Sequence, residues 1–206
     1  MSGWKKFLKI LSILLLLVFV IFVLSVIYFV FSYKSWEKDF ERNMSSENLV
    51  QSLDSQTIES IAREIENVAY SQEDTAILEL TPKEVSYLML SSFQDNQAVS
   101  LSAVYIQPAG KGRWNVFLKV KILNKVPVWI ESKLRKEERE TAEVFVEDIQ
   151  IGDYSLRSFG FENLVDKANN ALSSALVTVE ENGFIGRTLE NIELLDSGLI
   201  VRLERY

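Results

Sequence analysis

VSLSAVYIQPAGKGRWNVFLKVKIL, from Val99 to Leu123, decides the fold class. Two runs rich in β-branched and aromatic residues, Val99–Gln107 and Trp114–Leu123, flank Pro108-Ala109-Gly110-Lys111-Gly112-Arg113, whose two glycines suit positive φ. That is the pattern of a β-hairpin. Asn115, Lys119 and Lys121 alternate with apolar neighbours, so one face of the sheet is wet. Outward from this hairpin, Val126–Leu134 and Ala142–Ile151 form the next antiparallel pair, turning through the charge-dense Arg135–Glu140. The run KLRKEERE (133–140) also suits a helix by period, and the hairpin reading is preferred. Ile151-Gly152-Asp153-Tyr154 reads as a break in the sheet, and Thr188–Leu194 with Leu199–Leu203 closes the chain as a hairpin around Asp196-Ser197-Gly198.

Helical spacing appears on either side of the sheet. Thr75–Leu80 (TAILEL) is a short strand leading into Thr81-Pro82-Lys83-Glu84, a strong helix start. Thr81 caps, Pro82 fills the first turn where its missing N–H costs nothing, and Glu84 completes a capping box. Val85, Leu88, Met89 and Phe93 are the expected buried side. Earlier in the chain, Ile58, Ile61, Ile65 and Val68 recur at helical spacing over Ser55–Val68; their stripe belongs on the domain or on a partner helix. Later, Leu164, Val165, Ala168, Leu172 and Leu176 mark a helix from Phe161 to about Val179, ended by Asn182-Gly183.

At the amino end, Ile10–Phe31 holds 22 residues that are apolar except for Ser12, Ser25 and the hydroxyl of Tyr28. At 1.5 Å per residue this run spans about 33 Å, the hydrocarbon thickness of a bilayer. It is read as an uncleaved transmembrane anchor, because it exceeds a signal h-region and leads into Phe29–Tyr33 without a small-x-small cleavage pattern. Trp4 before it and Tyr33 and Trp36 after it sit where interfacial rings belong. The helix is expected to run on to about Asn43, with Trp36 and Phe40 one turn apart. Lys5, Lys6 and Lys9 flank one end and Lys34, Lys38 and Arg42 the other, so the positive-inside count ties. The short basic tail, free of acids, places the amino terminus in the cytoplasm and the domain outside.

Charge and composition narrow the chemistry. The chain of 206 residues carries a formal net charge of -7, and the part from Tyr33 onward, without Lys5, Lys6 and Lys9, carries -10. An acidic domain gains nothing from counterion release on phosphate backbones, so nucleic acid is not an expected partner. There is no cysteine and no histidine, which removes disulfides, thiolate nucleophiles and the commonest metal ligands and general base. The remaining acid pairs, Glu73-Asp74, Glu137-Glu138, Glu147-Asp148 and Glu180-Glu181, lie on strands that point neighbours to opposite faces or at turns and helix ends. Ser35-Trp36-Glu37-Lys38 has a serine-lysine spacing without the companion motifs of such enzymes, and Asn43-Met44-Ser45 is a formal glycosylation sequon. Asp148 and Asp153 lack the alternating acids of a calcium loop. No catalytic, cofactor-binding or metal-binding residues are assigned.

The order of elements resembles the YpmS-like family of bacterial membrane-anchored proteins. The likeness is carried by Leu80, Thr81 and Glu84 at a strand-helix junction, by Ile149, Ile151, Gly152 and Leu156 before a helix, and by Leu189, Ile192 and Leu194 in the closing hairpin. It covers Thr75 to the end, while Tyr33–Ser71 is longer than that pattern. The resemblance implies an extracytoplasmic domain with no assigned active site.

The expected molecule is therefore α+β. It has a cytoplasmic tail (1–9), a transmembrane anchor (10–32), a membrane-proximal helical segment (33–71) and an extracytoplasmic domain (72–206) of about six to seven antiparallel strands with amphipathic helices packed on them. The expected function is non-enzymatic, binding a protein partner in the cell envelope; the alternative is a lipid-handling module with an apolar groove between sheet and helices.

Overall fold

A computed structural model describes residues 2–92, 100–122, 126–137, 141–182 and 186–205. The chain forms two compact units, Met1–Asn43 and Met44–Tyr206. The first is a single helix, α1 (Ser2–Asn43), matching the expected end at Asn43. Its stretch Leu16–Asn43 is long and apolar enough to cross a membrane, with a mean hydropathy of 2.7 in its most apolar window.

The second unit runs β1 (Leu49–Val50), α2 (Ser55–Ala69), β2 (Thr75–Leu80), α3 (Pro82–Ser92), β3 (Ser100–Pro108), β4 (Arg113–Ile122), β5 (Val126–Lys136), β6 (Val144–Ile151) and β7 (Tyr154–Ser155). A 3-10 turn (Arg157–Phe159), α4 (Glu162–Asn182), β8 (Arg187–Leu194) and β9 (Leu199–Arg205) complete it. The α+β class is as expected. Its strands divide into two antiparallel sheets, β1-β3-β4-β5-β6-β7 and β2-β9-β8. The central hairpin has the expected register, Ile106 opposite Val116 and Gln107 opposite Asn115, and Gly110, Lys111 and Gly112 all take positive φ in its loop. The outer ends of its two predicted runs, Val99 and Leu123, lie outside the described residues.

Differences from the sequence reading have local causes. Ile151-Gly152-Asp153-Tyr154 does not break the sheet: Ile151 pairs with Tyr154 across Gly152-Asp153, adding β7 as a two-residue edge. β1 is equally short, and two residues are too few to show alternation. Arg135 and Lys136 continue β5 opposite Phe145 and Val144, so this part of KLRKEERE is strand; 138–140 lie outside the described residues. On α3 the most enclosed row is Pro82, Ser86 and Leu90, while Val85, Leu88 and Met89 are half-buried and Phe93 lies outside the described residues. Ser86 tolerates burial because its hydroxyl donates to the Pro82 carbonyl at 2.9 Å, and its small side chain lets the helix approach closely.

The capping box on α3 is complete. Glu84 N–H donates to Thr81 Oγ1 at 3.2 Å, and Thr81 N–H donates back to Glu84 Oε2 at 2.7 Å. This start sets α3 between two apolar clusters. One gathers Val50, Leu90, Val104, Ile106, Trp114, Val116 and Leu194; the other gathers Ile61, Leu78 and Leu80. Val85 and Tyr87 touch both.

Three β-bulges keep apolar residues on the inner face. Leu101 and Val104, Val146 and Ile149, and Leu189 and Ile192 are each three residues apart, a spacing that would point them to opposite faces of a regular strand. The register slips by one residue within each of these intervals, at Ser102, Glu147 and Glu190. The extra residue restores the common face.

Two arginines hold the small sheet to the loop before β2. Arg187, 2% exposed, donates through Nη2 to the Ser71 and Glu73 carbonyls at 2.7 Å each. Arg205, its partner across the β8-β9 pair, donates through Nη1 to the Gln72 carbonyl at 3.3 Å and through its backbone N–H to the Asp74 carbonyl at 2.9 Å. Among the described residues, the buried guanidinium of Arg187 is balanced by carbonyl dipoles rather than a carboxylate.

Candidate functional site

The concave feature of the second unit lies where its two sheets meet. Ile106, Trp114, Val116, Leu134 and Val144 face it from the large sheet; Ile192, Leu194 and Leu199 face it from the small one. Val85 and Met89 of α3 and Leu172 and Leu176 of α4 complete the wall. All twelve side chains are apolar except for the indole N–H of Trp114, which donates to the Leu195 carbonyl at 2.9 Å. This hydrogen bond also ties the large sheet to the β8-β9 turn. The cavity measures about 170 Å³. Such walls offer a water few of the polar partners it needs, so this space suits hydrocarbon better than water.

A second concavity of about 280 Å³ adjoins it, sharing Val144 and Leu176 and bordered by Ala142, Glu143, Phe145, Ser173 and Leu189. It is more polar, with the exposed Glu143 and Ser173 at its margin. The apolar concavity thus borders one that offers hydrogen-bonding groups. Near this margin Lys136 is 8% exposed; its ammonium donates to the Thr141 carbonyl at 2.5 Å and to Thr141 Oγ1 at 3.0 Å. Burial pulls its pKa below the ordinary lysine value, against nearby Glu143, Glu137 and Glu193.

α4 forms one wall and is attached at a defined point. Val165 is fully buried, and the Asn169 side chain spans both backbone groups of Val146: Oδ1 accepts its N–H at 2.7 Å and Nδ2 donates to its carbonyl at 3.1 Å. An amide side chain completes strand hydrogen bonding there, which blunts an otherwise open stretch of β6. Beyond this attachment Leu172 and Leu176 are half-buried over the cavity.

The titratable groups farther along the large sheet serve structure. Burial works to raise Asp148, but donors from Gln150, Ser155 and the Ile149 N–H, with the charge of Lys133, outweigh it and hold this carboxyl below its ordinary value. Those donors occupy the acceptors that a cation would need. Glu147, the bulge residue, reaches Arg135 at 3.1 Å and Arg113 at 3.8 Å on the face that also carries Asp148, because the bulge interrupts strand alternation there. Glu131, opposite Gln150, is raised by burial, with Lys133 opposing and Asp148 and Asp153 reinforcing the shift.

Of the interface residues read from the sequence, Tyr33 and Trp36 lie one turn apart on α1 with ring centroids 5.8 Å apart, and Trp36 stacks on Phe40 at 5.0 Å. The side chains of Trp4, Lys5, Lys6 and Lys9 lie outside the described ones. The stripe of α2, offered above to the domain or to a partner, packs inside the domain: Ile61 is 1% exposed and gathers Ile65 and Val68 with Leu78 and Leu80. Asn169 and Arg187 escaped the sequence reading, since an isolated amide or guanidinium carries no periodic signal. Compared with known proteins, the chain matches no protein-family profile, no curated protein and no solved structure. The N-terminal apolar helix fits a membrane anchor or a signal sequence.

Proposed function

We propose that this chain is a single-pass membrane protein that holds an acyl chain, without enzymatic chemistry, in the cleft between its two sheets. The single observation that carries the reading is the cleft of about 170 Å³ with its apolar walls, bordered by a more polar concavity. Each methylene that leaves water for such a space contributes about 0.8 kcal/mol. A few carbons of a lipid tail therefore suffice for measurable binding, and the adjoining, more polar concavity accommodates the polar end. The helix at the amino end is read as an uncleaved anchor with its start in the cytoplasm, so that the domain works outside the membrane. The resemblance to the YpmS-like proteins implies the same placement. A protein partner is the weaker reading, because the α2 stripe that motivated it is engaged within the domain.

Native mass spectrometry of the full-length chain extracted in detergent tests the proposal. Lipid bound to the anchor is separated from lipid in the cleft by Leu172→Trp, which fills the cavity from its half-buried wall. A stoichiometric lipid adduct in the parent chain that disappears in a folded Leu172→Trp chain is the expected result. A parent chain free of adduct, or equal adducts in both, refutes it.

A further inference from the structure

Exposed large apolar residues of the second unit are mostly single: Tyr70, Ile77, Val126 and Leu195 stand apart in sequence and need no explanation. Phe159, Phe161 and Leu164 do not. They are 58%, 54% and 43% exposed and fall within the junction of the 3-10 turn and α4, a bend closed by Phe161 N–H donating to the Leu156 carbonyl at 3.0 Å and Leu164 N–H donating to the Phe161 carbonyl at 3.0 Å. Phe159 leans on Tyr154 with ring centroids 6.0 Å apart. Such a concentration of apolar surface at one corner marks an interaction site.

Its position on α4 links it to the cavity. Leu164, Ala168, Leu172 and Leu176 are spaced by four residues and form one row of the helix, about 18 Å from end to end. The row starts in the exposed corner and ends in the cavity wall. We propose that Phe159, Phe161 and Leu164 dip into a neutral lipid bilayer and form the port by which an acyl chain passes to the cleft; the port role rests on the acyl-chain reading above, whereas the bilayer contact stands without it.

The bilayer is the occupant because the chain carries its own. Twelve residues separate Phe31 from Met44, where the second unit begins, so a membrane that takes the apolar run of α1 lies within about 18 Å of chain from that unit. Charge selects the kind of lipid. Asp153, Arg157, Glu162, Asp166 and Lys167 around the corner sum to one negative charge, on a region with a net charge of -10. Anionic headgroups gain nothing here, whereas insertion of Phe and Leu side chains into a zwitterionic interface depends on apolar area alone.

A chain without cysteine makes the test direct. Phe161→Cys, and Lys83→Cys at an exposed site on α3, each receive a polarity-sensitive fluorophore, and the full chain is reconstituted in phosphatidylcholine vesicles. The label at 161 is expected to shift to the blue and to lose most of its emission to lipids spin-labelled near the headgroup, while the label at 83 keeps its emission. Adding phosphatidylserine is expected to weaken the quenching at 161. Equal, water-like behaviour of the two labels overturns the proposal. So does a label at 161 that is shielded but unquenched by lipid and becomes more shielded at higher protein density, which indicates a second copy. The port role is read separately, from the rate at which the chain takes up a fluorescent phosphatidylcholine: a several-fold loss is expected in Phe159→Ser/Phe161→Ser, and an unchanged rate overturns it. Quenching at 161 in a parent chain with no lipid adduct refutes the acyl-chain reading and leaves the bilayer contact standing.

Discussion

α2 and α4 present the same evidence in sequence and do different things in the molecule. Both carry apolar residues every three or four positions, from Ile58 to Val68 in one and from Leu164 to Leu176 in the other. α2 closes its stripe against β2, where Ile61, Ile65 and Val68 pack with Leu78 and Leu80. α4 buries Val165 completely, then lifts Leu172 and Leu176 over a cavity and leaves Leu164 exposed. A stripe therefore shows that a helix has an apolar face, while the surface opposite determines whether that face is core or binding wall.

The largest test of this contrast removes equivalent side chains. Ile61→Ala is expected to cost about 2–5 kcal/mol, because the site cannot collapse around the lost atoms. Leu172 is only half-buried, so Leu172→Ala returns less apolar surface to water and should cost less than Ile61→Ala. Equal losses in denaturant melts of the two variants would break the comparison. Next comes the attachment of α4. Asn169→Ala leaves the buried N–H and carbonyl of Val146 without their side-chain partners, at about 1–3 kcal/mol, and hydrogen exchange at Val146 should accelerate while Ile61 stays protected. Overpacking sharpens the contrast further. Ile61→Phe should destabilise by about 1–3 kcal/mol in its filled site. Leu176→Phe should leave the melting temperature unchanged or raised, since the ring enters the cavity.

The smallest effect concerns the start of α2. Asp54 accepts from the Gln56 and Thr57 N–H groups at 3.3 and 3.2 Å, and from the Thr57 hydroxyl at 2.5 Å. The Thr57 hydroxyl is the main cause that lowers its pKa; burial opposes it, and the Thr57 and Gln56 N–H groups lower it further. A lowered folded-state pKa means that the stabilisation is complete above the ordinary value of 3.8 and is lost as pH falls through the lowered one. Asp54→Asn keeps a capping oxygen and should remove that pH dependence while shifting stability at neutral pH only slightly. A melting temperature whose acid limb is the same in both chains would refute the assignment.

Local chemistry made much of this fold readable. The glycine loop between β3 and β4, the capping box at Thr81 and the turn before β9 act over a handful of residues, and all appear where the pattern put them. Period-two reasoning was misled on the face that carries Asn115, Lys119 and Lys121, expected to be wet: Phe117 on that face is 5% exposed and Trp129, opposite Lys119, is fully buried. Leu189-x-x-Ile192 fits neither face of a straight strand, and the extra residue at Glu190 explains it. The apolar wall itself was partly visible as alternation in Val99–Leu123, but the cleft was not, because it depends on two sheets and two helices meeting from distant parts of the chain.

The sequence by itself determined the apolar span at the amino end, the α+β class and the inner faces of the hairpins, since each follows from side-chain polarity at fixed local spacing. Only tertiary structure decided that the strands form two sheets, that β2 joins β9 from more than a hundred residues away, and that α4 stands off the cleft instead of sealing it. These outcomes rest on long-range packing: Arg187 and Arg205 hold the Ser71–Asp74 loop, Trp114 reaches the Leu195 carbonyl, and Asn169 sets the height of α4 above Val146. Each contact joins groups whose proximity no local spacing encodes.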